Sequence, residues 1–419
     1  MTTALDLDMA IIGSGPAGLA AAVKARQLGI KDVVVFERDE RPGGILPQCI
    51  HNGFGVQKFR EELTGPEYAH RFIQMARTHS VDIELDTMVL TIDANRNLIA
   101  VSESGGLRNY RCRSIILAMG CRERPRGAIG IPGTRPAGVF TAGQAQRLVN
   151  IEGYMPGETF VIQGSGDVGM IMARRLTLEG ARVKAVTEIQ PYTSGLIRNE
   201  VQCLHDFDIP LLLGHTVAEI HGDKRVEGVT VAEVDDAWNP IAGTEKYIGC
   251  DTLLLSVGLI PENELSRMAG VALDPLTGGP FVDEFLETRV PGIFSCGNVL
   301  HVNDYVDEVS AEGEIAALGA SYHIKGRRIE EKKLITVAGD ETIGQIVPQA
   351  VSGQRPVTFY IRVKHPMEKL TLRIGDIFQK KIPYARPGEM IRVRIAKKDF
   401  SDLAPSITRL KVGCEEHSR

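Results

Sequence analysis

A glycine-rich loop near the N-terminus constrains the fold more than any other feature of the sequence. It follows the short apolar run Met9 to Ile12 and precedes the alanine-rich stretch Leu19 to Leu28, which predicts the order strand, loop, helix. The loop consists of Gly13, Ser14, Gly15, Pro16, Ala17 and Gly18. Its three glycines allow a tight turn, close approach to a pyrophosphate and close packing of helix on strand. The loop therefore predicts a dinucleotide-binding site whose phosphates face a helix N-terminus.

An acidic residue follows where such a site requires one. The second apolar run, Val33 to Phe36, ends at Glu37, whose carboxylate can accept hydrogen bonds from a ribose hydroxyl. The adjoining Arg38 is also predicted to contact the nucleotide. The loop that contains Gly44 and Ile45 is expected to border the same ligand.

The same order of signals occurs a second time in the chain. The strand Phe160 to Gln163 leads into a second glycine loop, and the strand Val183 to Thr187 leads into Glu188. The second loop consists of Gly164, Ser165, Gly166, Asp167, Val168 and Gly169. Glu188 lies 24 residues after the first glycine of its loop, as Glu37 does in the first copy. A further apolar run ends each copy. The residues predicted to contact the nucleotide at that end are Ala118, Met119 and Gly120 in the first copy and Gly258 in the second. We therefore predict a duplicated nucleotide-binding fold.

The remaining segments indicate how the two copies are connected. Residues 121–137 are rich in proline and glycine and lack periodicity, which is typical of a domain crossing. Beyond the second copy the chain is expected to return to the first domain, where Gly297 and Asn298 form a turn before a helix over 306–324. Alternating apolar and polar residues after Lys332 predict a β-rich module, for which packing or subunit contact is the favoured role.

Composition excludes several other classes of protein. The net charge of −5 gives no basis for binding nucleic acid or an anionic membrane. No apolar run approaches the ~20 residues of a spanning helix, and the first eight residues lack the basic start of a secretory signal. We therefore expect a cytoplasmic protein without an integral membrane segment. The seven cysteines are too far apart for a C-x-x-C pair or an iron–sulfur run, and no metal site is predicted.

With both loops and the Gly297-Asn298 turn, residues 8–325 resemble the two-dinucleotide-binding-domain flavoproteins, the pyridine nucleotide–disulfide oxidoreductase-like enzymes. The resemblance implies that the first loop binds FAD, that the second binds NAD(P), and that the two cofactors meet at the domain interface. Family members usually carry Gly-Asp at the turn, where it contacts the flavin ribityl chain. The redox dithiol of the disulfide-reducing branches has no counterpart, because Cys49 alone follows the Gly43-Gly44 pair.

A closer resemblance is to the subgroup without the dithiol, found as subunits of multi-subunit amine, opine or glycerol-3-phosphate dehydrogenases. The stretches Gln48 to Gly55, Gly120 to Arg126 and Gly133 to Tyr154 look like the oxidoreductase commonly encoded beside a bacterial glycerol-3-phosphate dehydrogenase. This implies an FAD-dependent NAD(P)H oxidoreductase that passes hydride or electrons between NAD(H) and FAD and on to an acceptor or partner subunit. Two alternatives stay open: a structural or assembly subunit, and a flavin dehydrogenase acting directly on a small amine or polyol phosphate.

The predicted architecture is therefore α/β, with two Rossmann-like FAD/NAD(P)-binding domains, the second inserted in the first, and a small C-terminal β-rich module. We assign the FAD-binding domain to residues 1–122 and 260–330. The NAD(P)-binding domain is assigned to residues 123–259 and the module to residues 331–419.

Two further expectations concern specificity and chemistry. Glu188 favours NAD over NADP because a carboxylate accepts a 2′-hydroxyl and repels a 2′-phosphate, although Lys184 and Arg198 nearby in sequence could offset part of that repulsion. Cys49 and His51 are candidate catalytic residues, as a thiolate beside the flavin and an acid/base. The alternative is that Cys49 is a small buried residue and His51 a hydrogen-bonded loop residue.

Overall fold

Two compact units make up the chain. The computed structural model describes residues 4–327, 334–401, 403 and 406–417. The first unit consists of Met1–Cys121 and Pro261–Arg419, and the second of Arg122–Ile260. In sequence, the second unit is thus an insertion into the first. The predicted boundary at residue 330, between the FAD-binding domain and the C-terminal module, lies outside the described residues.

The first unit begins with a mostly parallel sheet. Its elements up to the crossing are β1 (Leu5–Ile12), α1 (Pro16–Gln27), β2 (Val33–Phe36), β3 (Asn52–Phe54), β4 (Leu63–Thr64), α2 (Gly65–Thr78), β5 (Asp82–Glu84), β6 (Thr87–Ile92), β7 (Asn97–Ser102) and β8 (Gly106–Leu117). The crossing itself contains β9 (Cys121–Glu123). The parallel order is β5-β2-β1-β8, and β7 and β6 continue it in antiparallel fashion. Residues 9–12 and 33–36 are fully buried, because central strands of such a sheet are covered on both faces.

The second unit repeats this arrangement. Its elements are α3 (Arg126–Ile129), β10 (Val139–Thr141), α4 (Ala142–Asn150), β11 (Thr159–Gln163), α5 (Asp167–Leu178), β12 (Arg182–Glu188), α6 (Ile197–Cys203), β13 (Leu211–Leu213), β14 (His215–His221), β15 (Gly228–Glu233), β16 (Lys246–Gly249), β17 (Thr252–Leu255) and β18 (Leu259–Pro261). The order β13-β12-β11-β17 matches β5-β2-β1-β8 strand for strand. The predicted duplication is therefore confirmed.

The chain then completes the first unit. Its elements here are α7 (Glu264–Met268), β19 (Ile293–Ser295) and α8 (Val306–Ile324). Strand β19 pairs in parallel with the last residues of β8, while the first half of β8 pairs with β7. The sequence predicts two strands, Arg108 to Arg111 and Ser114 to Ala118, and this is wrong: they are one continuous strand. The strand can be continuous because its first half pairs with β7 and its last residues pair with β19 on the same edge.

The C-terminal module is β-rich, as predicted. Its elements are β20 (Ile335–Gly339), β21 (Ile343–Val347), β22 (Ala350–Val351), β23 (Val357–Val363), β24 (Met367–Ile374), β25 (Phe378–Ala385), β26 (Ile391–Ile395), α9 (Lys397–Ser401) and β27 (Arg409–Glu416). One sheet has the order β22-β20-β27-β24-β25 and another the order β21-β23-β26. Their inward side chains, such as Phe359 and Leu372, share one buried core. The alternating pattern seen in the sequence reflects strands with one face buried and one exposed.

Candidate dinucleotide-binding sites

The first glycine loop has the geometry that its sequence predicts. Gly13 has a φ of +100°, and a side chain there would meet the carbonyl oxygen of Ala118 at 2.5 Å. A side chain at Gly18 would meet the carbonyl oxygen of Gly13 at 1.9 Å, so packing requires glycine at both positions. At Gly15, in contrast, a side chain would have no neighbour within 4 Å. Packing therefore does not require glycine there, whereas close approach of a ligand does.

Helix α1 begins at Pro16, directly after this open position. No described side chain caps its N-terminus, and its first turn holds no acidic residue. The partial positive charge of the unpaired N–H groups at this end therefore attracts an anion. With the open space at Gly15, the start of the helix fits the pyrophosphate of a dinucleotide.

The buried carboxylate of Glu37 holds the loop in place. Its Oε2 accepts hydrogen bonds from the backbone N and the hydroxyl of Ser14, at 2.8 and 2.6 Å. Its Oε1 accepts one from the backbone N of Asp39 at 3.0 Å, which leaves acceptor capacity for a ribose hydroxyl. Glu37 thus fits its predicted role and has a structural one in addition. Arg38 beside it is exposed.

The Gly43-Gly44 segment closes over the same loop. The backbone N of Gly43 donates to the carbonyl oxygen of Ser14 at 3.0 Å. A side chain on Gly44, which has a φ of +60°, would meet the Cα of Gly15 at 2.9 Å. This close backbone contact explains the glycine pair. The adjoining Ile45 is 58% exposed.

The strand that closes the first copy ends against the loop as well. The backbone N of Ala118 donates to the carbonyl oxygen of Ile12 at 2.9 Å, and its own carbonyl faces Gly13. Met119 and Gly120 come next and are half-buried, and the side-chain direction at Gly120 is open to 4 Å. A ligand seated on the loop would meet this strand end, as expected for the carboxyl ends of a parallel sheet.

The predicted turn at Gly297 and Asn298 reaches the start of α1. A side chain on Gly297 would meet the Cβ of Ala17 at 2.9 Å. The Oδ1 of Asn298 accepts from the backbone N of Asn303 at 3.1 Å, and its Nδ2 lies 3.7 Å from the Sγ of Cys121. The structure therefore brings the glycine loop, its two bordering segments and this turn together in one unit.

The second glycine loop reproduces the contacts of the first. Gly164 has a φ of +96°, and a side chain there would meet the carbonyl oxygen of Ser256 at 2.2 Å. The Oε2 of Glu188 accepts from the backbone N and the hydroxyl of Ser165, at 3.0 and 2.5 Å. Its Oε1 accepts from the backbone N of Gln190 at 3.0 Å. The 24-residue spacing of glycine and glutamate therefore reflects a shared serine–glutamate contact.

The residue that starts the helix differs between the copies. Asp167 takes the position of Pro16, and its Oδ1 accepts from the backbone N of Leu196 and the Nδ2 of Asn199, at 2.8 and 2.6 Å. A side chain on Gly195 would meet the backbone N of Asp167 at 2.9 Å. The segment that leads into α6 therefore packs against the start of α5.

Two further predicted contacts belong to the second loop. Val168 is half-buried in the first turn of α5. Gly258, after the strand that closes the second copy, has a φ of +102° with open space around it. Gly258 therefore follows the carboxyl end of one parallel strand, and Val168 lies in the helix turn that follows another, where a nucleotide would bind.

Cys49 and His51 both make contacts within their own loop. The Sγ of Cys49 donates to the carbonyl oxygen of Ile45 at 3.4 Å, and burial raises the pKa of the thiol to about 12. The thiol is therefore protonated at neutral pH, which does not support the thiolate role predicted for it. The Nδ1 of His51 lies 3.2 Å from the carbonyl oxygen of Asn52, and its ring packs on Phe54 at 5.0 Å. These contacts agree with the alternative interpretation of both residues as parts of a packed loop.

No disulfide joins any two of the seven cysteines, all of which lie in the described part of the chain. Burial also raises the pKa of Cys112, Cys203, Cys250, Cys296 and Cys414. In the described part of the chain, no three histidine, cysteine or acidic residues cluster as metal ligands would.

Sequence reasoning missed a buried hydrogen-bonded pair, His301 and Glu312, that contacts the Gly297 turn. The Nε2 of His301 lies 2.6 Å from Oε1 of Glu312, and both side chains are almost completely buried. The other carboxylate oxygen of Glu312 accepts from the backbone N of Gly297 at 2.7 Å. The available signal is the unusual series of acids, Asp307, Glu308, Glu312 and Glu314, in a helix that is otherwise rich in small apolar residues.

Comparison with known proteins agrees with this geometry. The family model of the pyridine nucleotide-disulphide oxidoreductases matches residues 7–320. An opine oxidase subunit from Agrobacterium tumefaciens is 26% identical over 76% of this chain and 66% of its own length. Hydrogen cyanide synthase subunit HcnB of Pseudomonas aeruginosa is 28% identical over 64% of this chain and 60% of its own length. This chain thus spans less than two thirds of the length of either relative.

A solved structure extends the likeness to the fold. The crystal structure of thioredoxin reductase from T. acidophilum superimposes with a TM-score of 0.62 and 25% identity, over 77% of this chain and 99% of that enzyme. No described helix has the length and apolarity needed to cross a membrane. The chain belongs to the pyridine nucleotide-disulphide oxidoreductase family.

Proposed function

We propose that the first unit binds FAD, that the second unit binds NAD(H), and that the enzyme moves a hydride between them. The main support for this proposal is the serine–glutamate contact, which occurs in both units and holds both glycine loops in the same arrangement. Bound FAD would supply the two-electron chemistry, which the protein orients and tunes. In the first unit the N-terminus of α1 would hold the pyrophosphate, Glu37 the ribose, and Asn298 the ribityl chain.

The proposed nicotinamide cofactor is NAD(H) rather than NADP(H). The carboxylate of Glu188 is buried at the end of β12, with acceptor capacity left on Oε1 and a negative charge that repels a 2′-phosphate. Lys184 and Arg198, two cations near Glu188 in sequence, are both exposed. We expect kcat/KM for NADH to exceed that for NADPH by at least about tenfold, the factor that about 1.4 kcal/mol of repulsion produces. A preference for NADPH would contradict this assignment.

The proposed acceptor is a partner protein, because the cysteines lie too far apart in sequence for a C-x-x-C dithiol that could relay electrons. Two relatives are named as subunits of larger enzymes, opine oxidase and hydrogen cyanide synthase, which supports a subunit role here. The stretches from Gln48 to Gly55, Gly120 to Arg126 and Gly133 to Tyr154 favour a glycerol-3-phosphate dehydrogenase-type complex in the cytoplasm.

A two-stage kinetic experiment tests this route. The flavin is first reduced by NADH in a stopped-flow instrument and is then mixed with a purified glycerol-3-phosphate dehydrogenase subunit. Reoxidation that is faster with this subunit than with bovine serum albumin supports the proposal. Reduction of the flavin by a small amine or polyol phosphate, without reduction by NADH, would make the enzyme a direct flavin dehydrogenase. A chain that folds and binds no flavin would instead favour an assembly role.

A further inference from the structure

The C-terminal module contacts the segment that follows the Gly297-Asn298 turn. Arg362 of β23 pairs with Asp304 and donates from Nη2 to the carbonyl oxygen of Val302 at 3.3 Å. The other carboxylate oxygen of Asp304 accepts from the backbone N of Met390, just before β26, at 2.7 Å. Since Arg362 and Asp304 are both largely buried, this pair is shielded from water and geometrically fixed.

A second arginine of the module pairs with the first turn of α8. The Nη1 of Arg392 lies 2.6 Å from Oε1 of Glu308 and also donates to Oε1 of Gln57 at 2.8 Å. The Glu308 carboxylate is only 6% exposed. Burial raises its pKa above the usual range, and Arg392 opposes that shift. The charge at this end of α8 therefore depends on a residue of the module.

The same end of α8 adjoins the proposed flavin site. A side chain on Gly297 would meet the Cγ1 of Val309 at 3.2 Å, and one on Gly313 would meet the carbonyl oxygen of Ala17 at 2.2 Å. The first turns of α8 thus pack on the Gly297 turn and on the start of α1. Glu308 precedes Val309 directly and belongs to this contact region.

The module has other attachments that do not involve these arginines. The carboxylate of Glu284 accepts hydrogen bonds from the backbone N atoms of Gly353 and Gln354, at 2.9 and 3.0 Å. The Oε1 of Gln349 accepts from the backbone N of Val282 at 3.0 Å, and its Nε2 donates to Asp274 at 3.0 Å. Docking of the module therefore does not depend on Arg392, and this arginine can be changed while the module stays in place.

We propose that Arg392 is a positioning residue through which the C-terminal module sets the charge beside the flavin, by its ion pair with Glu308. The proposal rests on the assignment of FAD to the first unit. Reduced flavin carries more negative charge than oxidised flavin, so a nearby uncompensated charge changes the two affinities unequally. Other titratable groups face this region, namely Asp304, Asp307, Glu312, His301, Tyr360, Arg362 and Arg355. They stay the same in the test and form a constant background.

The test compares the two halves of the ion pair by spectroelectrochemistry of the FAD-loaded enzyme at pH 8. Arg392→Met leaves a carboxylate without its partner and is expected to weaken binding of reduced FAD about tenfold more than that of oxidised FAD. For a two-electron couple this is a shift of about 30 mV to more negative potential. Glu308→Gln leaves an unpaired guanidinium and is expected to shift the potential in the opposite direction. The double variant is expected to lie close to the wild-type enzyme.

Arg373→Met is the matched control, because Arg373 pairs with Glu415 on the exposed side of the module. It should leave the potential unchanged. Shifts of the same sign for both single variants would indicate structural damage, and no shift in either would exclude electrostatic coupling; both results overturn the proposal. Failure of the wild-type enzyme to bind FAD would instead overturn the proposed function, so the two failures are distinguishable.

Discussion

The two glycine loops share their internal contacts and differ in the segments that pack against them. In both, a buried glutamate accepts from the backbone N and the hydroxyl of the serine that follows the first glycine. After the first loop, Pro16 starts a helix whose N-terminus no described side chain caps. After the second, Asp167 holds the segment that leads into α6. The serine–glutamate contact is therefore common to both loops, and the contacts of the residue that starts the helix are what differ between them.

The largest expected effects separate folding from binding in the first loop. Gly18→Ala places a Cβ 1.9 Å from a carbonyl oxygen and should destabilise the first unit by about 3 kcal/mol or more. Gly15→Ala enters open space, so it should leave the unfolding temperature nearly unchanged while it weakens FAD binding by roughly 100-fold, or about 2.7 kcal/mol. Thermal unfolding and flavin titration measure the two quantities. Equal losses of stability in both variants would contradict this division of roles.

The next largest effect, on coenzyme preference, distinguishes Glu188 from Glu37. Glu188→Gln removes the charge that repels a 2′-phosphate, so the kcat/KM ratio of NADH to NADPH should fall by about tenfold. The matched variant, Glu37→Gln, should weaken FAD binding without changing that ratio. An altered coenzyme ratio in Glu37→Gln would mean that the assignment of the two units is reversed.

An effect of similar size concerns the pH dependence of the stability of the first unit. Burial raises the pKa of Asp283, in the first unit, to about 7, so its carboxyl is protonated more readily in the folded state than in the unfolded one. Stability is thus lowered above pH 7 and is regained as the pH falls, by about 1.4 kcal/mol between pH 8 and pH 6. Asp283→Asn should remove this part of the pH dependence in unfolding measurements, since its Oδ1 can still accept from Phe285 and Glu287. An unchanged pH profile would refute the assignment.

The smallest effect is expected at Cys49. Its thiol is protonated at neutral pH, so Cys49→Ser should keep the NADH-dependent reduction of an artificial acceptor within about twofold. Cys121→Ser, beside Asn298, is the comparison variant. A loss of activity that is confined to Cys49→Ser would restore the catalytic role predicted from the sequence.

Local patterns in the sequence predicted most of the fold. The apolar runs around residues 9–12 and 160–163, with the glycines after them, were sufficient because each strand–loop–helix unit depends on neighbours in sequence. The continuity of β8 was not predictable, since its two halves are specified by β7 and β19, which are far apart along the chain.

The candidate site was predictable only in part, for a similar reason. The position of Glu37 follows from spacing, but its contact with Ser14 depends on the folded loop. The pairing of Arg392 with Glu308 joins residues 84 positions apart, and no periodic pattern marks either of them. The protonated state of Cys49 likewise arises from burial by the surrounding fold.

The central claim, FAD in the first unit and NAD(H) in the second, is tested most directly by anaerobic titration of the purified enzyme with NADH. We predict that the flavin absorbance near 450 nm is lost in proportion to added NADH, with about one equivalent needed per flavin. A flavin that is reduced by dithionite and is not reduced by excess NADH would contradict this claim.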